Sequence, residues 1–290
     1  MKTRFHPGDL IGIQVQPVKL WTQSLSWVLF VAGIVLYAQF SIARHRENPE
    51  DRVAPSLHQL VQGLKSSVLE PAEEDDPVDA NAPLVERVRH SMLWKDTVAS
   101  ARRFAIAFAL LIPAVLLGLH MAVYPYAGAM FQRFALFFDK IVALSLLPIL
   151  FIVFGIEEWS KIMLMVIGVA PTLILDTCNI ARSVPREQIV KAFTLKSTNA
   201  DVAYRIVLKQ VLPQIINSLR LNLKPLALFL FAGEMIASTD GLAYRIAIMR
   251  RHMGMDIILP YLLWVALLLF FVDSLLRFAN RRLHPWYQPL

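Results

Sequence analysis

Apolar residues in this chain occur in long blocks rather than in the narrow stripes of a soluble amphipathic helix. A helix needs about 20 mostly apolar residues to cross the bilayer core, and fewer where flanking side chains reach the interface. Six blocks approach this length: Trp27 to Ala43, Phe104 to Ala122, Ile141 to Ile156, Ile162 to Asp176, Ile215 to Ala237 and Ile257 to Val272. The pattern predicts an all-α, polytopic membrane protein with about six transmembrane helices.

The first block has two interpretations. Ser41-Ile42-Ala43 fits the small-x-small pattern of a signal-peptidase site. However, the polar region before Trp27 is long, and the block exceeds the apolar core of about 7 to 15 residues that signal peptides usually have. We therefore favour a retained transmembrane helix over a cleaved signal peptide.

The fifth block contains polar residues that hydrocarbon tolerates poorly: Asn217, Arg220, Asn222, Lys224 and Glu234. Such side chains need to face protein or water, so this segment is predicted to line the interior of the bundle. Arg220 and Lys224 are four residues apart, share one helix face and can both reach the same interface. Glu234 follows about 15 Å further along the helix, near the opposite membrane face.

Orientation is predicted from the charges in the short connections. Residues 179 to 214 are rich in basic side chains, namely Arg182, Arg186, Lys191, Lys196, Arg205 and Lys209. Only Glu187 and Asp201 oppose them, which places this connection in the cytoplasm. With an even number of spans, both termini are then cytoplasmic. The connection from Ser238 to Asp256, which carries Arg245, Arg250 and Arg251, is an exception to the charge rule on the outer side.

The connection between the first two blocks has an acidic, proline-rich centre, from Glu70 to Pro83. This composition is typical of a solvated linker without a packed core, and a docking surface for a partner is the alternative. On either side, Ala54 to Leu69 and Leu84 to Ser100 have helical spacing, and we expect them on the membrane surface.

Composition narrows the function classes. Hydrophobic residues make up 56% of the chain and charged residues 18%, and the mean hydropathy is +0.51, which excludes a soluble enzyme or transcription factor. A net charge of +7 is explained by basic cytoplasmic loops rather than by nucleic-acid binding. The single cysteine, Cys178, argues against a disulfide scaffold or a zinc site.

Catalytic motifs are lacking in the sequence. It contains no HExxH, no GxSxG with convergent His and Asp, and no Walker-type phosphate loop. We therefore expect no catalytic residue, no metal site and no cofactor in this chain, so energy for transport has to come from a partner or an ion gradient.

The cytoplasmic segment from Pro185 to Pro213 has the pattern of a helix-turn-helix. Pro185 and Glu187 suit the first helical turn, and Ser197 to Asp201 supplies turn and cap residues before a second helix. Such a unit between two spans fits a groove on a cytoplasmic protein. An amphipathic hairpin on anionic lipid is an equally good interpretation of the pattern.

A family resemblance extends from Trp94 to Trp286. The chain resembles permease subunits of ABC importers, in the branch for nitrate, bicarbonate, taurine and aliphatic sulfonates. The matching motifs are Asp96 to Arg103, Leu147-Pro148, Phe154 to Glu158, Glu234 followed by Gly241-Leu242-Ala243-Tyr244, Asp273 to Arg277, and Pro285-Trp286.

This resemblance implies the type I ABC importer transmembrane fold and a cytoplasmic loop that docks on an ATPase. Aligned through Leu212-Pro213, the family's Glu-Ala-Ala falls on Val190-Lys191-Ala192 and its glycine on Lys196. The glycine position favours a positive φ, which costs a lysine more than a glycine. The residues expected to couple to the ATPase are Lys191, Ala192, Thr194, Leu195, Lys196, Ser197 and Asp201.

The same resemblance implies a transport subunit rather than an enzyme, placed in a bacterial inner membrane. Its implied partners are cytoplasmic ATPase subunits that hold ATP and Mg, a second permease subunit (the same chain or a related one), an extracytoplasmic solute-binding protein and membrane lipid. The candidate pathway and gate residues are Glu234, Arg220, Lys224 and Pro148. Glu234 is expected to close the outer end of the pathway, with Arg245 as its counter-charge, and a purely structural ion pair is the alternative.

These patterns divide the chain into five predicted parts. Residues 1–26 form a cytoplasmic N-terminus, 27–43 the first transmembrane helix, and 44–103 an extracytoplasmic linker. Residues 104–280 form the transmembrane permease core with the coupling loop 185–213, and 281–290 a cytoplasmic tail. Two other classes remain as alternatives: an ion-coupled secondary transporter, and a membrane scaffold that docks a cytoplasmic partner.

Overall fold

The structure is a computed structural model that describes residues 19–47, 54–69 and 83–287. Regular structure in these ranges is helical, without β-strands. The helices are α1 (Lys19–Glu47), α2 (Leu57–Leu69), α3 (Leu84–Arg89), α4 (Met92–Leu110), α5 (Ile112–Val123), α6 (Pro125–Asp139), α7 (Leu147–Phe154), α8 (Glu158–Arg182), α9 (Arg186–Thr194), α10 (Leu208–Leu221), α11 (Leu223–Ala237), α12 (Leu242–Arg251) and α13 (Met255–Leu283). A 3₁₀ turn, Ala143–Leu146, precedes α7, and a π-helix, Asp201–Val207, precedes α10. The predicted all-α class is confirmed.

The chain divides into two compact units between Val61 and Gln62. In the first, α1 carries a candidate span, Trp27–Arg44, whose apolar side chains are largely exposed. Ser41 and Tyr37 of α1 donate hydrogen bonds to the backbone carbonyls of Ala54 and Pro55, both at 3.0 Å. These two bonds fix the backbone that leads into α2.

Membrane spans in the described residues agree with the predicted number when a bent helix pair is counted as one. Five spans consist of single or continuous helices: Trp27–Arg44, Met92–Val123, Glu158–Arg182, Asp201–Ala237 and Met255–Leu283. The pair Pro125–Asp139 and Ala143–Phe154 forms a sixth, with a bend of 84°.

The third predicted span, Ile141 to Ile156, differs most from the structure. The block contains only the second arm of the bent pair, which is the 3₁₀ turn followed by α7. The first arm is α6, which ends before Ile141. Pro148 lies in the first turn of α7, where its missing N–H leaves no helical bond broken. The chain therefore starts a new helix at this point instead of extending the previous one.

The second span begins earlier than predicted, at Met92 rather than at Phe104. Ser91 caps α4 by accepting a hydrogen bond from the Trp94 N–H at 3.3 Å. Leu84 to Ser100 is thus not one helix, since α3 ends at Arg89 and Met92 to Ser100 forms the first part of α4, which continues into the second span. Polar side chains in that part are buried against other helices, which is why hydropathy alone did not reveal it.

Helix α8 lies at the centre of the second unit and packs against α4, α5, α6, α10 and α11. Its apolar side chains meet those of α4, α5 and α11 in one buried cluster that includes Leu111, Met165, Leu173 and Leu226. Buried apolar area is the main stabilising term in this contact between helices. The same helix connects the two ends of the bundle, where the polar features described below are found.

Candidate coupling segment and buried ion network

The segment between α8 and α10 folds as a helix, a turn and a second helix, as predicted. Helix α9 begins after Pro185, and the π-helix begins at Asp201. Thr198 and Asp201 cap the second helix reciprocally. The Thr198 Oγ1 accepts from the Asp201 N–H at 3.2 Å, and the Asp201 carboxylate accepts from the Thr198 N–H at 3.3 Å.

Lys196 ends α9 in the left-handed conformation, with φ at +60°. The Ser197 N–H bonds the Ala192 carbonyl at 3.2 Å and the Lys196 N–H bonds that of Phe193 at 3.0 Å, which is the Schellman pattern of helix termination. The positive φ expected at this position is therefore confirmed.

The predicted coupling residues divide into an exposed and a structural group. Lys191, Thr194, Leu195 and Lys196 are exposed on α9 and the turn, with Leu195 at 75%. The others are half-buried or buried: Ala192, Ser197 and Asp201. Ala192 packs beneath the segment against Val202, Val207 and Val211, whereas Asp201 caps the helix and pairs with Arg205 at 3.2 Å.

Two apolar side chains of α9 add to the exposed group, although the sequence analysis did not select them. Val190 is 60% exposed and Phe193 is 46% exposed. Large apolar residues that stay exposed on a basic helix within the described part of the chain are typical of a binding surface, and that combination was the available signal.

Tyr204 joins the coupling segment to the membrane helices. Its hydroxyl lies 2.9 Å from the Nε2 of His120 on α5, and the His120 Nδ1 lies 2.7 Å from the Leu116 carbonyl. Because a carbonyl only accepts, Nδ1 carries the proton and Nε2 accepts from Tyr204. The His120 ring also stacks on Tyr124 with a centroid distance of 5.6 Å.

The other end of the bundle holds a buried ion network centred on Arg103 of α4. This side chain is 2% exposed and contacts three carboxylates. Its Nε donates to Glu158 at 2.6 Å and its Nη1 to Glu234 at 2.8 Å, while its Nη2 also contacts Asp240. One guanidinium thereby connects α4, the first residue of α8, the end of α11 and the turn that follows α11.

Glu234 is fully buried, at 0% exposure, so the prediction that it does not face lipid is confirmed. Its Oε1 accepts from Ser100 at 2.7 Å and from Arg103, and its Oε2 accepts from the Ala243 N–H at 3.0 Å. The prediction that Arg245 is the counter-charge of Glu234 was wrong. Arg103, far away in sequence, occupies that place.

Arg245 pairs instead with Asp96 of α4, at 2.9 Å. Asp96 also accepts from the Gly241 N–H at 3.1 Å and from the Tyr261 hydroxyl at 3.2 Å. Burial disfavours the charged guanidinium, but the hydrogen bond and charge of Asp96 outweigh it, so the pKa of Arg245 lies above its ordinary value. Arg245 is therefore a structural cation on the first turns of α12.

Gly241 allows α12 to start so close to Glu234. Its φ is +118°, and a Cβ there would lie 2.6 Å from the Glu234 carboxyl carbon. Any side chain would collide with the carboxylate, so only glycine permits this approach. Lys161 of α8 also belongs to the network, because its Nζ donates to the Glu158 carboxylate at 3.2 Å and to the Ser238 hydroxyl at 3.1 Å.

A second ion pair joins the earlier part of the fifth span, α10, to α13. Arg220 binds Asp273 of α13 through Nε at 2.9 Å and Nη2 at 3.2 Å. Arg277 binds the same carboxylate at 2.9 Å, because the two residues are four apart on one face of α13. The fifth span breaks at Asn222, so Arg220 belongs to α10 and Lys224 to α11.

Two other candidates of the sequence analysis are exposed. Within residues 19–47, 54–69 and 83–287, Lys224 makes no ion pair or hydrogen bond, and its side chain points away from the core. Pro148 is exposed in the first turn of α7. The structure thus brings Glu234 into a charged network and places Arg220, Lys224 and Pro148 outside it.

Sequence reasoning missed three residues of the network, Asp96, Ser100 and Arg103, because they lay in the predicted linker before Phe104. Their spacing of i, i+4 and i+7 places them on one face of a helix. A polar face of that kind directly before an apolar block was the available signal.

Comparison with known proteins identifies the fold and the family. Residues 103–285 match the family model "Binding-protein-dependent transport system inner membrane component". The taurine transport system permease protein TauC of Escherichia coli is 29% identical over 196 residues, which cover 67% of this chain and 71% of TauC. A Brucella abortus protein named "Probable ABC transporter permease protein" is 29% identical over 216 residues, or 73% of this chain and 85% of that protein.

A solved structure shows the same fold. An inward-facing conformation of the MetNI methionine ABC transporter superposes with a TM-score of 0.52 at 18% identity, covering 68% of this chain and 95% of the matched chain. The family match begins at Arg103, the centre of the ion network, and includes the complete coupling segment. The chain therefore belongs to the family of binding-protein-dependent transport system inner membrane components, the permease subunits of type I ABC importers.

Proposed function

We propose that this chain forms half of the solute pathway of an ATP-driven importer and couples to a cytoplasmic ATPase through residues 185–213. The observation that carries the proposal is the exposed helix-turn-helix between two membrane spans. Such a unit fits a groove on a partner protein, and family membership favours an ATPase over the scaffold and ion-coupled alternatives.

The surface of α9 supports this coupling role. Val190, Phe193 and Leu195 expose large apolar side chains, and Lys191 and Lys196 flank them with positive charge. An apolar centre with a charged rim is the usual composition of a protein interface. The lipid-surface alternative has a weaker basis, since the capped turn and the Schellman ending hold this segment as a compact unit.

Orientation follows from the two ends of the bundle. Arg103, Glu158, Glu234 and Asp240 meet at one end, whereas the end of α8 and the coupling segment lie at the other. The basic coupling segment supports a cytoplasmic position for its own end. Both termini are then cytoplasmic, and the ion network lies at the outer end.

The proposed pathway uses the candidates of the sequence analysis in different roles. The ion network holds the outer ends of α4, α8 and α11 together, so Glu234 is the proposed outer gate, with Arg220, Lys224 and Pro148 as pathway candidates. ATP and Mg are held by the partner ATPase, and closure of that ATPase shifts the coupling segments and exchanges the open end of the pathway.

The proposed solute is a small anion such as nitrate, bicarbonate, taurine or a sulfonate. The name of the E. coli relative, a taurine transport system permease, supports this class. An extracytoplasmic binding protein delivers the solute, and a second permease subunit, identical or related, completes the pathway.

The test is a double charge reversal on the coupling segment. Lys191→Glu with Lys196→Glu is expected to abolish co-purification of the ATPase and ATP-dependent uptake in proteoliposomes, because the electrostatic match at the interface is inverted. The matched control is Arg250→Glu with Arg251→Glu, which makes the same charge change on exposed residues of α12. Retained co-purification and uptake in the Lys191/Lys196 variant would show that this segment is not the coupling element.

A further inference from the structure

A groove lies between α4 and α13, and both helices belong to membrane spans. The two helices are joined at the end of the bundle that holds the ion network, where the Trp264 indole N–H donates to the Thr97 hydroxyl at 3.0 Å. Beyond this contact a cavity of about 500 Å³ remains between them, with side chains of α11 as its floor. This cavity is called the α4–α13 groove below.

The lining of the α4–α13 groove is apolar. Helix α4 contributes three exposed small side chains at four-residue spacing: Ala101, Ala105 and Ala109. Helix α13 contributes larger aliphatic side chains, among them Leu268 and Val272. The two hydroxyls in the lining are already bonded, since Thr97 donates to the Leu93 carbonyl and Ser100 donates to Glu234. The side chains of the groove therefore offer an occupant apolar contacts.

The dimensions of the groove fit a hydrocarbon chain and not a helix. From Val265 to Leu276 the lining covers about 17 Å of α13, close to the hydrocarbon depth of about 15 Å in one leaflet. A volume of about 500 Å³ spread over about 17 Å leaves a mean cross-section of about 30 Å². A helix with its side chains is about 10–12 Å across, so it is too wide for this space. An extended acyl chain is narrow enough and long enough to fill it.

Arg102 supplies a charge beside the groove. It is exposed and shares a helix face with Ala105 and Ala109, three and seven residues later. In the part of the chain that the structure describes, Arg102 makes no ion pair or hydrogen bond. It lies within the Met92–Val123 span, where a charge without a partner is costly. Because helical side chains point back toward the helix N-terminus, its guanidinium extends toward the end of the groove near Thr97.

We propose that the α4–α13 groove binds one phospholipid, with an acyl chain between the two helices and the phosphate on Arg102. A guanidinium donates to two phosphate oxygens at once, and the alanine stripe lets the chain lie close to α4. The lipid fills a space that no side chain fills, and it thereby holds α13 beside the helix that carries Arg103. This site has no part in the proposed transport cycle and does not depend on it.

The experiment measures lipid retention by the full chain in native mass spectrometry after extraction in detergent. The added probes are phosphatidylglycerol and a diacylglycerol with the same acyl chains. We expect the wild-type chain to retain one phosphatidylglycerol several-fold more strongly than diacylglycerol, because only the former has a phosphate. Ala105→Leu and Ala109→Leu each fill the groove and are expected to lower retention of both lipids several-fold. Arg102→Gln is expected to remove the preference for phosphatidylglycerol and to leave diacylglycerol retention unchanged.

The matched controls lie outside the groove. Ala266→Leu makes the same apolar addition at an exposed position of α13, and Arg281→Gln removes an exposed charge at the far end of that helix. Both controls are expected to retain lipid as the wild type does. The use of two alanine positions on an exposed face keeps the test valid if one substitution disturbs the fold.

Three outcomes would overturn the proposal. Wild-type lipid retention in both alanine variants of α4 would show that the groove holds no lipid. An unchanged preference for phosphatidylglycerol in Arg102→Gln, or an equal loss of that preference in Arg281→Gln, would remove the phosphate site. Weaker self-association of Ala105→Leu with unchanged lipid retention would show that side chains of a second permease subunit occupy the groove.

Discussion

Removing the charge of Glu234 while preserving its shape tests the ion network most directly. Glu234→Gln replaces one carboxylate oxygen by an NH₂ group in a site with 0% exposure. The carboxylate is surrounded by donors, since Ser100, Arg103 and the Ala243 N–H all point at it. The Ser100 hydroxyl is already directed by the Leu242 N–H, whose bond it accepts at 2.9 Å.

Neither orientation of a glutamine satisfies this site. With its oxygen toward Ser100 and Arg103, its NH₂ meets the Ala243 N–H, and in the opposite orientation its NH₂ meets Arg103. A buried donor without an acceptor costs about 1–3 kcal/mol, and a hydrogen bond to a charged group contributes about 1.5–3 kcal/mol. In the variant, Arg103 still forms ion pairs with Glu158 and Asp240, which reduces the loss in free energy of unfolding. We expect a destabilisation of about 2–4 kcal/mol, below the upper range for a fully broken buried pair.

Reversible unfolding in mixed micelles, followed by tryptophan fluorescence, measures this difference. The control is Glu157→Gln, an exposed carboxylate next to Glu158 that makes no side-chain capping bond to α8. Equal stability of the Glu234 and Glu157 variants would refute the argument from buried donors. Uptake divided by the amount of folded protein separates the two roles of Glu234. If Glu234 is a gate, this ratio falls in the Glu234→Gln variant. If it is only a structural ion pair, uptake and folded protein fall together and the ratio is unchanged.

Three further predictions concern other parts of the molecule. Lys196→Gly removes a left-handed lysine and is expected to stabilise the isolated chain by about 1 kcal/mol in thermal unfolding, with ATPase coupling retained. Arg220→Met removes the two bonds to Asp273 and is expected to destabilise by about 1–3 kcal/mol in the same assay, since the site is only partly exposed. In a cysteine-free background, Glu86→Cys is expected to react with an impermeant maleimide on intact cells, and Val190→Cys only after permeabilisation, because the proposed topology places the basic coupling segment in the cytoplasm.

Each of these has a contrary result. Loss of ATPase coupling in the Lys196 variant would show that the lysine is itself a partner contact. Unchanged stability in the Arg220 variant, relative to Arg281→Met at the exposed end of α13, would remove the structural role of the Arg220 pair. Labelling of Val190→Cys on intact cells would reverse the proposed topology.

The helical class and the number of spans were predictable because apolar blocks report directly on contact with lipid. Helix breaks inside such blocks were harder to predict from the sequence. The bend of 84° lies between Asp139 and Ala143, just before an apolar block that holds both the 3₁₀ turn and α7, and hydropathy does not distinguish one straight helix from two within that block. Pro148 marked the start of α7, but a proline in the first turn of a helix and a proline within a helix look alike in sequence.

The coupling segment was well predicted, whereas the ion network was not. The signals of α9 are local, since Thr198 and Asp201 are three residues apart and the position of Lys196 followed from the family frame. Arg103 and Glu234 are separated by 131 residues, so no local pattern connects them. Glu234 was recognised as a costly buried acid, but its partner depended on the packing of α4 against α11, which a single sequence does not specify.

The arrangement around Arg103 has a consequence for biogenesis. Arg103 enters the membrane with the Met92–Val123 span, and its buried partner Glu234 enters only with the Asp201–Ala237 span, after two further hydrophobic segments have been synthesised. Until then, Arg103 has only Glu158 of the Glu158–Arg182 span as a carboxylate partner, and an incompletely paired charge is costly in lipid. Assembly of the bundle is therefore completed late, when α11 and α12 close over α4, and a chain that stops before Glu234 carries an arginine whose only carboxylate partner in the network is Glu158.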